Sequence, residues 1–449
     1  MKYLIFLIFF LAVATSSFSQ SPRLLITTDI GGDPDDQQSL VRLMVYSNEF
    51  EIEGIVASAS GTPGELKEAV VRPDLVEEII RGYQAVYPNL QKHDKNFPAP
   101  EKLLSVVKKG NPQRGWENVG EGKDTEGSEW IIRQVDKKDN RPLNICIFGG
   151  QTDLAQALWK VKTTRSEKEY QKFISKIRVY DINDQDKIFG QMFAEYKLPF
   201  YILAKAPEGI DKREGAYRGV YLGGDESLTS MEWLKENVLE NHGMLGKLYP
   251  TKTWTAPNPH GVMKEGDTPS WFLFLENGLN VAAHPEWGGW GGRFTRNEQG
   301  YFSDAVDTFE GVTNARATVY RWRPDFQNDW AARMDWCVGD YTECNHAPVP
   351  IVNGSKERKP LSVKAKKGEP VVLDASDSFD PDSDKLSFEW HVYPEIENVS
   401  ETVILKTEGA KAFIQLKNFK TNESLSLLLR VTDNGNPRLV SYKRILINN

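Results

Sequence analysis

Cysteine is scarce in this chain of 449 residues: there are three, too few for a disulfide framework or a Cys-rich zinc site. Cys146 lies in the apolar run NICIF and reads as a buried thiol, whereas Cys337 and Cys344 are near enough either to bond across a short loop or to stay free. No Walker loop, HExxH or GxSxG occurs, and no GxGxxG follows the first strand, so the usual nucleotide, zinc-protease and serine-hydrolase signatures are missing. Ser39 and His242 have no partners for a nucleophilic triad. Beyond the first twenty residues no apolar run is long enough to span a bilayer. Positive charge is also in short supply. The net charge is −8, one unit more negative without Lys2, which disfavours nucleic acid as a partner and leaves neutral or cationic substrates open.

What is present begins with MKYLIFLIFFLAVATSSFSQ, in which one lysine, an apolar core and a small-x-small ending at Ser17 and Ser19 predict a signal peptide over residues 1–19. No cysteine follows to carry a lipid, so the expected product is exported, to the periplasm or beyond. The remainder changes character once. Over 20–344, the apolar runs LLITT, EIEGIVASAS, LNICIFGG, KIRVYDI and PFYILA alternate with amphipathic stretches such as GSEWIIRQV and TDLAQALWKV, which predicts βαβ units and a largely parallel sheet flanked by helices. Over 345–449, LSVKA, PVVLDA, LSFEWHV, AFIQL, LSLLLRV and YKRILI are separated by turn residues and predict an all-β, immunoglobulin-like sandwich, with NHAPVPIV as the linker.

Chemistry concentrates just after the first predicted strand, where TDIGGDPDDQQSL places Asp29, Asp33, Asp35 and Asp36 within eight positions. Carboxylates so crowded repel one another unless a hard cation gathers them, and Ca²⁺ takes oxygen ligands. In an open α/β sheet a loop at the carboxyl end of a strand is where ligands bind. The plainer reading is a solvated acidic turn with Asp36 as a helix N-cap, which accounts for one aspartate of the four.

TDIGGDPDDQQSL, FEIEGIVASAS and FGGQTDLAQAL, in that order, resemble the nucleoside hydrolase superfamily, in which an Asp-rich loop binds a catalytic Ca²⁺. GGDPDDQQSLVRLM, KEGDTPSWF, HPEWGGWGGRF and DASDSFDPDSDKLSFEW together resemble, more closely, secreted bacterial proteins labelled cellulose-binding, which join a nucleoside-hydrolase-like domain to a cadherin-like or PKD-like one. The resemblance implies Ca²⁺ held by Asp29, Asp36, the Phe148 carbonyl and Asp267, with Asp29 also the general base and Asp35 facing sugar hydroxyls. Asp267 is alternatively an N-cap for the following SWFLFLENG. The implied activity is Ca²⁺-dependent hydrolysis of a glycosidic bond in a small sugar conjugate. The alternative is a carbohydrate-binding protein, for a cellulose-like polysaccharide, that has lost turnover.

Departures from the superfamily pattern are specific. Two extra residues separate Asp29 from the Asp35–Asp36 pair, and Asp33 is an added carboxylate. Ser60 and Gly61 stand where relatives have a sugar-contacting asparagine, and Gly266 where many purine-cleaving relatives have a histidine that helps the base leave. Replacement contacts are sought in YDINDQDKIFGQ, where Asn183 and Gln185 can grip hydroxyls, or where Asn183 and Asp184 merely shape a turn and Asp186 caps a helix. They are sought also in HPEWGGWGGRF, where Trp287 and Trp290 offer flat faces to sugar rings, Glu286 and Arg293 offer charged hydrogen bonds and His284 a proton, with Trp254 and His260 at the rim; packing is the alternative for the tryptophans. The aspartates of DASDSFDPDSDK read either as a structural Ca²⁺ loop or as Asx turns.

Overall fold

The computed structural model describes residues 21–59, 70–253, 262–366, 369–396, 403–416 and 424–448. The expected signal peptide, Ser60, Gly61, Trp254 and His260 lie outside them. An eight-stranded sheet forms the first part, from β1 (Arg23–Thr28), β2 (Glu51–Ala57), β3 (Val107–Lys109), β4 (Leu143–Ile147), β5 (Ile177–Ile182), β6 (Tyr201–Ala204), β7 (Phe294–Arg296) and β8 (Phe302–Asp304). Their order is β3-β2-β1-β4-β5-β6-β8-β7, parallel throughout except for the β7–β8 pair. Such a sheet is covered on both faces, so its central strands are apolar without alternation: every residue of β1 and β4 is buried.

The order reverses between β1 and β4, which pair in register from Arg23–Leu143 to Thr27–Ile147. At such a reversal the connections leave toward opposite sides and open a crevice above the carboxyl ends of the strands. The β1 loop enters that crevice and ends in the helix Asp35–Met44, whose first-turn acids Asp35 and Asp36 and last-turn Arg42 both suit the helix dipole.

In the second part, strands 361–364, 440–448, 424–432 and 387–392 form one sheet, and 371–374, 411–416 and 403–408 another; all pairs are antiparallel except the 361–364 edge. Leu373, Ile414, Leu427, Val431 and Ile445 fill the space between the sheets. The strand Val403–Glu408 was not expected from the sequence, because its residues are mostly exposed at a sheet edge and give little apolar signal. Strand 424–432 is buried on both faces: Leu425, Leu427 and Leu429 point into the sandwich, while Leu428 joins Tyr393, Val440 and Tyr442 in the core of the α/β part. The two parts therefore share apolar packing. Arg430 clasps Asp325 at 2.5 Å, and Arg444 donates to the carbonyls of Leu279 and Trp287.

The three cysteines are free thiols, so Cys337 and Cys344 are not bonded in this structure. Among the described residues, no helix is long and apolar enough to cross a membrane.

Candidate functional site

The crevice above β1 and β4 is built by close backbone approaches. The Thr27 hydroxyl donates to the Gly149 carbonyl at 2.6 Å, tying the two strand ends together. A Cβ on Gly149 would lie 2.3 Å from Asp29 Oδ1, so only glycine lets that carboxylate in. Gly150, at φ 81°, turns the chain into the helix Gln151–Thr164.

On the other side, Gln38 and Arg42 are four residues apart on one helical face and hold the segment that carries Asp267. Gln38 Nε2 donates to the Val262 carbonyl at 2.7 Å and its Oε1 accepts from the Lys264 backbone N–H at 2.8 Å. Arg42 Nε lies 2.6 Å from Glu265 Oε2, both side chains fully buried, with the guanidinium 3.8 Å from the Trp330 ring centroid. A buried pair broken on one side would cost about 3–5 kcal/mol, so this segment is firmly seated.

The result is a convergence of acids. Asp35, Asp36 and Asp267 each place a carboxylate oxygen within 4.8 Å of the others. Asp267 sits at the N-cap position of the helix Thr268–Phe272 but makes no capping bond, and both of its buried oxygens are without a hydrogen-bond partner. Asp36 is inside the first helical turn, not at the cap, and accepts from the Thr28 hydroxyl. Burial, reinforced by Asp35, Asp36 and Asp29 and opposed by Lys264, drives the Asp267 carboxyl well above the carboxylate range. Burial and the charges of Asp29 and Asp35 do the same to Asp36.

Asp29 stands beside this trio rather than in it. Arg114 Nη2 donates to its Oδ2 at 2.7 Å, while Oδ1 is buried without a partner. Burial raises its carboxyl to about 6 against the pull of Arg114, with Asp186 adding to the rise. Unsatisfied buried carboxylate oxygens are costly in a folded protein. Three of them, on Asp29 and Asp267, fit a hard divalent cation; the residues that converge closely enough to hold Ca²⁺ are Asp35, Asp36 and Asp267, with Asp29 beside them. The Phe148 carbonyl at the end of β4 accepts from the Gln185 side-chain amide, so the pair expected to serve metal and sugar separately is joined.

Other predicted residues fall in different places. Asn183 and Asp184 have φ of 68° and 52° in the turn after β5. Asp184, not Asp186, bonds the helix start, accepting from Phe189 N at 2.9 Å, and Asp186 instead accepts from Thr152 N and Oγ1. In HPEWGGWGGRF, Trp290 and Arg293 are buried against protein, whereas His284 is exposed and Glu286 and Trp287 are partly exposed. Trp290 is 2 % exposed, lies against Phe272 and Phe326 and donates to Tyr442 Oη at 3.3 Å. Arg293 is buried against Asp307 at 2.8 Å. Trp287 stacks on His284 with centroids 4.0 Å apart, and His284 bonds Glu286 at 2.7 Å. The Trp290 ring serves packing, because apolar area is most useful where two domains meet.

Three neighbours of the cluster escaped the sequence reading. Arg114 comes from a loop with no motif, and only folding brings it to Asp29. Lys264 contacts Asp33 and lies 3.8 Å from Asp35; its place three residues before Asp267 was the one available signal. The Tyr217 ring lies 3.2 Å from a Cβ built on Gly266, where the missing histidine would be, and its hydroxyl accepts from Arg218 at 2.9 Å.

Residues 23–294 match the family described as cellulose-binding Sde182, nucleoside hydrolase-like domain. This chain belongs to that family. Residues 370–449 match the C-terminal domain of cellulose-binding protein Sde0182. A nucleoside hydrolase-related protein from Saccharophagus degradans, described as associated with carbohydrate metabolism, is similar over 95 % of this chain and 99 % of its own, at 33 % identity and a TM-score of 0.78. Part of human CDH23, repeats EC21-23, matches 22 % of this chain and 33 % of its own at 13 % identity, but its TM-score of 0.18 carries no argument. No curated protein matches the chain. The fold is thus nucleoside-hydrolase-like, followed by a β-rich domain of the same family.

Proposed function

We propose that the protein is an exported, calcium-dependent glycosidase whose substrate is a small sugar conjugate. The observation carrying this reading is the set of buried, unpartnered oxygens, one on Asp29 just after β1 and two on Asp267, beside the Asp35–Asp36 pair. Calcium bound among these acids would supply positive charge to polarise water and to hold vicinal sugar hydroxyls. Asp29 Oδ1 takes the proton of the attacking water as the new bond to the anomeric carbon forms and the leaving group departs with its electron pair. A carboxyl near 6 is suited to that task at neutral pH. Arg114 fixes its orientation through Oδ2. The neighbouring carboxylates favour an oxocarbenium-like transition state, and Asp35, which is partly exposed, accepts a sugar hydroxyl. With Tyr217 against Gly266, a phenol whose oxygen accepts from Arg218 stands where purine-cleaving relatives have a histidine.

Sugar release from a panel of nucleosides and oligosaccharides, with calcium restored after chelation, tests the reading. Wild type is expected to hydrolyse at least one member, and EDTA and Asp29→Asn to abolish it. Equal release by wild type and Asp29→Asn would sink the catalytic role.

One observation favours a second reading, a carbohydrate-binding protein without turnover: Arg114 holds Asp29, as a charge clamp on a base no longer used would. The family description as cellulose-binding supports it too. Under this reading retention on cellulose survives Asp29→Asn.

A further inference from the structure

The inserted residues of the β1 loop bring Asp33, an extra carboxylate, and in the structure Asp33 meets the ammonium of Lys264. Both side chains are buried, at 7 % exposure each, and the same ammonium lies 3.8 Å from Asp35 Oδ2. Lys264 is not there by chance of a flexible stem. Its backbone N–H is fixed by Gln38, and the next residue, Glu265, is locked to Arg42, so the root of the side chain is clamped to the helix that carries Asp35 and Asp36. A buried ammonium and a divalent cation cannot share one group of carboxylates without repulsion, and at separations of about 4 Å that repulsion is large even at the high effective permittivity of protein sites.

We propose that Lys264, held by Asp33, is a resident cation of the acidic crevice, one that neutralises it without metal and that sets its calcium affinity by opposing the ion. The proposal rests on the reading that this crevice takes calcium. It assigns the added aspartate a role that ligation does not: Asp33 is the anchor of the competing charge. A site that must exist before metal arrives, as in a protein exported through compartments of differing calcium, gains stability from such a charge and loses affinity.

Calorimetric titration of calcium chloride into chelator-treated, full-length protein tests this. Lys264→Met is expected to bind calcium at least about tenfold more tightly than wild type, Lys264→Arg within about twofold of it, and metal-free Lys264→Met to melt lower than metal-free wild type while gaining more from calcium. Lys264→Gln, nearer in polarity, gives the same comparison if the methionine variant does not fold. Equal or weaker calcium binding in the charge-removing variants overturns the proposal while leaving the metal site intact. No heat and no thermal shift with calcium in any variant, wild type included, overturns the calcium reading itself and this proposal with it.

Discussion

Asp29→Asn separates two forces that pull on the proposed base in opposite directions. Burial in the crevice penalises the carboxylate, Arg114 at 2.7 Å favours it, and burial wins, since the carboxyl rises from an ordinary 3.8 to about 6. The interval between those values corresponds to about 3 kcal/mol against the ionised form. An acid raised on folding binds protons more strongly in the native state, so stability falls as pH climbs from about 4 to about 6 and stays reduced above that. Asparagine removes the burden. In EDTA at about pH 8 the variant is therefore expected to be more stable than wild type by about 2–3 kcal/mol, a rise of about 2–3 °C in melting temperature for a chain of this length, and the gain should vanish at about pH 4. Calorimetry or urea melts of the full chain at both pH values read it directly. Destabilisation at about pH 8 would mean that the Arg114 pair outweighs desolvation, and the account of a poised base would fail.

Saturating calcium at about a hundred times its dissociation constant should stabilise wild type by about 2.7 kcal/mol and Asp267→Asn by far less, which a thermal shift series in calcium and EDTA checks. Trp290→Ala should cost about 3–5 kcal/mol in urea melts through lost packing at the domain interface, whereas Trp287→Ala, partly exposed on its His284 stack, should cost less and, under the binding reading, reduce retention on cellulose. His346 Nδ1 lies 3.1 Å from both oxygens of Asp382, and its Nε2 3.0 Å from His93 Nδ1, while His93 Nε2 faces the Gly339 carbonyl. Asp382 also accepts from the His346 backbone N–H at 2.7 Å, and a carboxylate only accepts. Asp382→Asn should therefore destabilise the chain by about 1–3 kcal/mol in the same melts, and an unchanged midpoint would remove this relay from the contacts joining linker and sandwich.

Local pattern carried much of this protein into view. Apolar runs buried on both faces marked β1, β4 and β5 because a doubly covered parallel sheet leaves no strand face for water. The crowding of Asp29, Asp33, Asp35 and Asp36 announced an acidic site because charges that close in sequence stay close in space, and Asp267 was legible through its resemblance to a known motif. Three features had no such trace. Arg114 reaches Asp29 across 85 positions of sequence, a contact that only the closing of the sheet creates. The division of labour among the aspartates, with Asp33 on Lys264, Asp36 on Thr28 and both oxygens of Asp267 left unpaired, depends on where the helix Asp35–Met44 seats the distant segment through Gln38 and Arg42. The tryptophans of HPEWGGWGGRF look alike in sequence whether they face sugar or protein, and packing against Tyr442 of the second domain decided for protein at Trp290. Composition and spacing determine which elements form and what chemistry they carry; burial and pairing arise from contacts between segments far apart in the chain, so only the tertiary structure assigns each charge its partner.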